Sequence, residues 1–437
     1  MFEKVPSGWQ VVSVKDLIDT HFSGPSPTCE ERNIQTESEW GVFKTTAVTW
    51  SGFNEFAHKT LPQSYWGQKH LEVKAGDVLV TKAGPRHRVG VVVHVPATQP
   101  RLIVSGKMIG LRLKAEYCES DVIAGLLSQA EPQKYLDDRS TGMAESQVNF
   151  TNTALLNTTL LLPPKEERAL ISEIGQQLEI QIRQTEAIVA KLQQVKQGLL
   201  RDLLTRGIDA SGQLRPPYEQ APELYKESPL GEIPKEWDAR TLQEISSTPI
   251  CYGIVQVFGY VADGVPVLAI RDLLGDYSTN IHRTAHSIDA GYTRSRVKGG
   301  DVLISVKATI GRIGVVPNHF EGNISRDIAK IRPSAGVSSN FLCFLLRSPL
   351  GQKTLELSQV GTTRAELSIA PLKELFFPIP PLKEQERIDT VISSHEALIK
   401  ENESNLTKLK QQKFGLMDDL LTGKVRVNKM TKQQLSS

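Results

Sequence analysis

The chain of 437 residues is long enough for two to three domains, each with its own core. Its 39% hydrophobic and 23% charged residues are those of an ordinary soluble protein, and apolar runs such as Phe341–Leu346 are too short to span a bilayer. A net charge of +2 leaves nucleic-acid binding open, because a basic face can be offset by acidic helices elsewhere.

The opening residues, Met1 to Pro6, have no apolar stretch of signal-peptide kind. Cys29, Cys118, Cys251 and Cys343 are well separated and form no CxxC pair, which points away from a disulfide framework or zinc ribbon. A cytoplasmic protein is expected.

Along the chain, the elements come twice. Trp9, after Pro6, leads into a β-rich stretch in which Gly76-Asp77 marks a turn before the aliphatic run Val78-Leu79-Val80. A second strand is expected over Val89 to Val95, an extended segment at Leu111-Arg112-Leu113, and a short helix at about 121–128. Pro163-Pro164 then ends the extended chain and opens a long helix, with Glu166 and Glu167 in its first turn. Copy two repeats this order from Trp237, with Gly300-Asp301, a strand at 313–316, an extended segment at 328–332, a helix at 339–347 and Pro380-Pro381.

The identities are collinear. Lys191 to Thr205 matches Lys408 to Thr422 at 10 of 15 positions, and Val73 to Val92 matches Val297 to Val316 at 10 of 20 without a gap. The offset between copies falls from 228 at the tryptophans to 217 at the proline pairs, so copy one has the longer loops.

Each long helix carries apolar or small polar residues at alternating spacings of three and four, a heptad seam. In the first, Ile171, Ile174, Leu178, Gln181, Thr185, Ile188, Leu192, Val195 and Leu199 mark it; in the second, Ile388, Val391, Leu398, Leu409 and Leu416. Two matching rods in one chain are expected to pack on each other as a coiled coil. The fold class expected is α+β: two globular mixed domains, each followed by a long helix, related by a pseudo-twofold repeat. The domains expected are residues 1–162, a helix at 163–206, a Pro- and Gly-rich linker at 207–233, a second domain at 234–379, a helix at 380–424 and a polar, frayed tail at 425–437.

Motifs of catalysis are missing: no P-loop, no dinucleotide-type glycine turn after a strand, no arranged nucleophile or acid–base pair, and no metal-ligand cluster. Catalysis by this chain alone is not expected, nor is a metal site or a cofactor of its own.

Six short segments then carry a resemblance. Leu230-Gly231-Glu232-Ile233-Pro234-Lys235-Glu236-Trp237, Tyr252-Gly253-Ile254-Val255-Gln256, Gly264-Val265-Pro266-Val267, Gly300 to Ser305, Asn323 to Arg326 and Pro380 to Ile388 stand in the order found in specificity subunits of Type I restriction–modification systems. Copy one keeps Gly76 to Leu79, the proline pair and the rod, and departs elsewhere. The resemblance implies a non-catalytic reader with two target-recognition domains, each on one half of a split asymmetric DNA site. It implies that the rods, packed as an antiparallel coiled coil, set the unread spacer and dock two methyltransferase subunits, which a translocase–nuclease subunit can join. S-adenosylmethionine, ATP and magnesium would then belong to the partner subunits. The competing reading is a coiled-coil scaffold whose globular domains bind proteins.

Candidate DNA contacts are basic and polar residues in loops that leave strands: Lys82, Arg86, His87 and Arg88 in copy one, Lys307, Thr309 and Arg312 in copy two. Arg88 and Arg312 coincide in the ungapped match, so a shared backbone contact is expected of them. Ser325, Arg326, Thr362, Thr363 and Arg364 form a second rank.

Overall fold

The Gly-Asp turns fold alike in both copies and organise the sheets around them. Gly76 and Gly300 hold φ of 89° and 85°, left-handed values that suit glycine. The aspartate that follows is buried, closes the turn and grips an arginine from the neighbouring strand. Asp77 accepts from the Lys74 amide at 2.8 Å and from Arg112 Nε and Nη2 at 2.9 and 2.7 Å. Asp301 accepts from the Lys298 amide at 3.0 Å and from Arg332 Nε and Nη2, each at 2.7 Å. An Asp301→Ala change removes the carboxylate from the arginine and the turn amide, so the domain of the second copy is expected to lose about 2 kcal/mol in urea unfolding.

The computed structural model describes residues 5–256, 259–275, 277–359 and 366–427. The chain packs as two compact units, unit 1 from Met1–Thr185 with Asn405–Ser437 and unit 2 from Glu186–Ser404. Each unit is therefore completed by the far end of a helix that begins in the other copy of the repeat.

In unit 1 a four-stranded antiparallel sheet runs in the order Ile18–Phe22, Met108–Leu113, Val78–Thr81, Val92–His94. A smaller sheet places Gly41–Phe43 between Leu102–Ile103, parallel to it, and His58–Thr60, antiparallel to it. Unit 2 has the same two sheets. Cys251–Tyr252, Ile328–Ile331, Val302–Ser305 and Ile313–Val315 form the larger, and Val265–Leu268 lies between Asn323–Ile324 and His282–Thr284 in the smaller. With helices on the same chain, the class is α+β, as the sequence leads one to expect.

Sheet register corrects one sequence match. Val80 pairs with Val92, and Ile304 pairs with Ile313, so the offset between copies is 221 after the loop rather than 224. Gln133 Nε2 donates to the carbonyls of Gly90 and Leu127, as Gln352 Nε2 does to those of Gly311 and Leu346. Gly311 is thus the counterpart of Gly90, and Val91 is the counterpart of Arg312. The similar strings Arg-Val-Gly-Val-Val and Arg-Ile-Gly-Val-Val hide a three-residue difference in loop length, and Arg88 and Arg312 do not occupy equivalent positions.

The long helices span Lys165–Thr205 and Leu382–Leu421. In unit 1, Gly175 lies against Met417, and Glu179 pairs with Lys413 one turn further along. In unit 2, Lys196 pairs with Glu396 at 2.6 Å, the symmetric counterpart, and His395 Nε2 lies 2.8 Å from the Leu192 carbonyl. The two rods run antiparallel in each unit. Ile171, Ile174 and Ile388 are buried and Leu178, Leu192, Leu199, Leu409 and Leu416 are half-buried, whereas Val391 and Leu398 are 40% and 44% exposed. The seam passes instead through Ile182, Val189 and Leu203 on the first rod and Ile392 and Ile399 on the second. Neighbouring apolar pairs such as Val391-Ile392 fit a spacing of three or four equally well, so periodicity does not choose between them.

Both rod ends are fixed by a buried carboxylate. In unit 1 the indole of Trp9 donates to Glu167 at 3.0 Å, and Arg426 donates to the same carboxylate at 2.8 and 2.9 Å. In unit 2 the counterpart Glu384 accepts from Arg215 at 2.5 and 3.0 Å and from the Ile208 amide at 2.9 Å. Trp237 is fully buried beside it, and Gly207 leaves no room for a side chain between Trp237, Glu384 and Arg215. The expected frayed tail is thus anchored through Arg426 and the buried Val427, with residues 428–437 outside the described set. The expected linker likewise supplies Arg215 and a hairpin of Tyr225–Ser228 with Gly231–Pro234.

Unit 1's core takes in Ile171, Ile174, Leu420, Leu421 and Val427. Unit 2's core takes in Leu200, Leu203, Leu204, Ile208, Ile388 and Ile392 around Phe341 and Leu345. Each small sheet covers a second core of its own.

Candidate nucleic-acid interface

The candidate residues sit where the chain leaves a buried strand and doubles back. In unit 1 this loop follows Thr81. Lys82 is half-buried and reaches Asn152 Oδ1 at 3.2 Å, and burial pulls its ammonium below the usual lysine range. Arg86–Arg88 form one turn of 3₁₀ helix. Arg86 is engaged by Glu145 and Asp137, whose charges hold the guanidinium above its ordinary value. His87 is exposed, and Arg88 lies 3.5 Å from the Thr45 carbonyl. Unit 1 therefore brings four basic residues into one loop, with Arg86 tied to carboxylates and Arg88 turned onto the backbone.

In unit 2 the loop after Ser305 is shorter. The Lys307 ammonium is 5.8 Å from the centre of the Tyr252 ring and 3.0 Å from Glu366. Thr309 and Arg312 are exposed, and the Arg312 side chain has no hydrogen bond or ion pair among the described residues. Ser305 Oγ closes the loop by accepting from the Arg312 amide at 2.8 Å and donating to the Thr309 carbonyl. Ser325 is half-buried, and Arg326 is exposed, 3.7 Å from Asp327. Thr362, Thr363 and Arg364 lie outside the described residues.

Several of the unit 2 candidates gather on one short stretch, Tyr252 to Ile254. Ile254 donates to the Ile324 carbonyl at 2.8 Å and accepts from the Arg326 amide at 2.9 Å, while Tyr252 stands under Lys307. Tyr252 flanks a strand, where aromatic side chains usually join the core, yet its side chain is 39% exposed. Beside this stretch lies an open cavity of about 450 Å³, lined by Cys251 to Gly253, Gly291 to Ser295 and Ile369 among others. Arg294 belongs to this wall and was missed, because nothing in its sequence setting distinguishes it. Among the described residues there is no cluster suited to a metal ion and no helix long and apolar enough to cross a membrane.

The Type I restriction modification DNA specificity domain matches residues 266–411, which include Lys307, Arg312 and Arg326. Residues 266–411 thus carry a match to a Type I DNA specificity domain, within the second copy of the repeat and the start of its rod. The chain is 37% identical over 161 residues to the specificity subunit of the Type I restriction enzyme EcoEI of Escherichia coli, covering 37% of this chain and 27% of that protein. For the EcoBI subunit of the same organism the identity is 30% over 264 residues, covering 58% and 55%. The chain thus aligns with about half or less of these two relatives. The MjaVIII specificity subunit of Methanocaldococcus jannaschii is 23% identical over 446 residues, covering 98% of this chain and 95% of that one. Among solved structures, a chain from work on complex assembly and conformational transition of the type I R-M system matches with a TM-score of 0.59. It is 20% identical and covers 97% of this chain and all of its own, a likeness of fold.

Proposed function

We propose that this chain is a specificity subunit, the non-catalytic reader of a methyltransferase–nuclease complex, each unit contacting one half of a split, asymmetric DNA site. The observation that carries the reading is a frame held twice, by the Asp77–Arg112 and Asp301–Arg332 grips, beneath post-strand loops that differ in length and charge. A shared frame under unlike loops suits two readers of unlike half-sites. Basic residues in those loops suit duplex DNA, where most contacts fall on phosphates and fewer on base edges.

In this reading the paired rods set the length of the unread spacer and dock two methyltransferase subunits. Exposed apolar side chains on the rods, among them Leu398 and the 79% exposed Phe414, support a protein partner there. S-adenosylmethionine, ATP and magnesium would be bound by the methyltransferase and translocase–nuclease partners, not by this chain. The complex would work in the cytoplasm, where chromosomal DNA is.

The test is co-expression with a Type I methyltransferase partner followed by mapping of modified adenines across a genome. Methylation confined to one two-part motif is the expected result. Modified adenines without a split motif would overturn the reading, as would methyl transfer from S-adenosylmethionine by this chain without a partner.

A further inference from the structure

The cavity beside Tyr252 exists because one packed pair of residues in copy one is replaced by a different pair in copy two. In unit 1, Phe22 stands opposite Gly110 on neighbouring strands, and its buried ring lies where a Gly110 side chain would project. In unit 2 the same two positions hold Cys251 and Lys330. The neighbouring glycines show that the frame is otherwise preserved. A side chain at Gly24 would collide with the Val104 carbonyl, and one at Gly253 with the counterpart Ile324 carbonyl. A large ring has been exchanged for a thiol and an ammonium, and the space beside the thiol is open.

The cavity wall is built rather than loose. The buried Lys330 ammonium donates to the carbonyls of Arg294 and Arg296. Ser295 Oγ donates to Asn323 Oδ1 at 2.6 Å, and the Asn323 amide donates to Asp289 Oδ1 at 2.8 Å and to the Tyr292 carbonyl at 3.1 Å. Arg296 closes this buried network on the other Asp289 oxygen. These bonds fix the backbone of 291–296 and leave the Arg294 side chain exposed, with no hydrogen bond or ion pair among the described residues. Among the described residues, no carboxylate lines the cavity. Burial pushes the Cys251 thiol up, and the charges that oppose it are all cationic: Lys330, Arg294, Lys373 and Arg332.

We propose that this cavity seats one backbone phosphate of the bound DNA, with its sugar, Arg294 supplying the cation and Tyr252 and Thr293 their hydroxyls. A volume of about 450 Å³ exceeds a phosphate and admits the adjoining deoxyribose. An arginine without an ion pair, on a wall whose described residues include no carboxylate, is the chemistry that neutralises a phosphate, and such a contact positions the duplex without reading sequence. The proposal rests on the DNA-reading function above. It adds a residue to that function which copy one does not supply in the same way.

The test uses the full chain assembled with its methyltransferase partner and a duplex carrying the mapped site, with affinity measured from 50 to 200 mM salt. Arg294→Ala is expected to weaken binding about tenfold at 100 mM salt and to flatten the slope of log affinity against log salt by about one. The ranking of single-base variants in both half-sites and the thermal unfolding of the chain should stay unchanged, and Arg294→Lys should keep most of the slope. The double change C251F with K330G, which restores the packing of copy one, should fill the cavity and give the same loss. If that double variant fails to fold, Arg294→Ala alone decides. An unchanged salt slope in Arg294→Ala, with specific binding by the parent intact, would overturn the proposal alone, and so would an altered half-site preference. A parent complex without any site preference would overturn the function itself and the phosphate seat with it.

Discussion

Glu384→Ala is expected to destabilise unit 2 by about 3–5 kcal/mol, the cost of removing one partner from a buried ion pair. Glu384 is 3% exposed and Arg215 is 8% exposed, so water cannot replace the lost carboxylate at either group. The substitution leaves the buried guanidinium with only the exposed Glu236 carboxylate at 3.5 Å, and the Ile208 amide without its acceptor. Urea unfolding followed by a probe in unit 2 reads the effect. Glu384→Leu with Arg215→Met should recover most of the loss, since an apolar pair of similar volume avoids the stranded charge. A loss below about 1 kcal/mol in the single variant would mean that the site is hydrated and the pair contributes as a surface bridge does. Glu167→Ala should act on unit 1 in the same direction, because it releases both Trp9 and Arg426.

Under the proposed function, Val391→Asp with Leu398→Asp is expected to weaken capture of a methyltransferase partner about a hundredfold or more while leaving the chain folded. Both side chains are exposed on the second rod, one heptad apart, and neither is part of the buried seam. Surface changes away from packed contacts usually shift stability within about 0.5 kcal/mol, whereas a charge placed in a protein interface costs 2 kcal/mol or more. Affinity by calorimetry, with thermal unfolding of the free chain as the control, separates the two. Undiminished binding by the double variant would remove this face of the rod as the docking surface.

The duplication, the rods and the Gly-Asp turns were legible in the sequence because each depends on local chemistry. Gly300 serves a left-handed turn, Asp301 caps it, and Pro380-Pro381 opens a helix whose first turn is acidic. What escaped was whatever depends on partners far along the chain. Arg215 lies in a stretch rich in proline and glycine and gives no sign of a role, because Glu384 is 169 residues away. The seam register escaped at Val391 and Leu398 because an apolar neighbour stood ready at each. The supposed equivalence of Arg88 and Arg312 came from a gapless match that sheet pairing breaks. At the candidate interface, Lys82, Arg86 and Lys307 stood out by charge and position, but the pairing of Lys307 with Tyr252 and the freedom of Arg294 are tertiary facts.

The packing of Leu420, Leu421 and Val427 into the first unit's core sets the order in which a ribosome can finish the protein. Synthesis proceeds from the N-terminal side, yet the first unit lacks Leu420, Leu421 and Val427 until those residues have emerged. The second unit needs only residues 186–404 and is complete earlier. The half made first is therefore the half that folds last, and its unfilled core would be open to chaperones and proteases throughout elongation. A message truncated shortly before Leu420 would yield a finished second unit tethered to an unfinished first one.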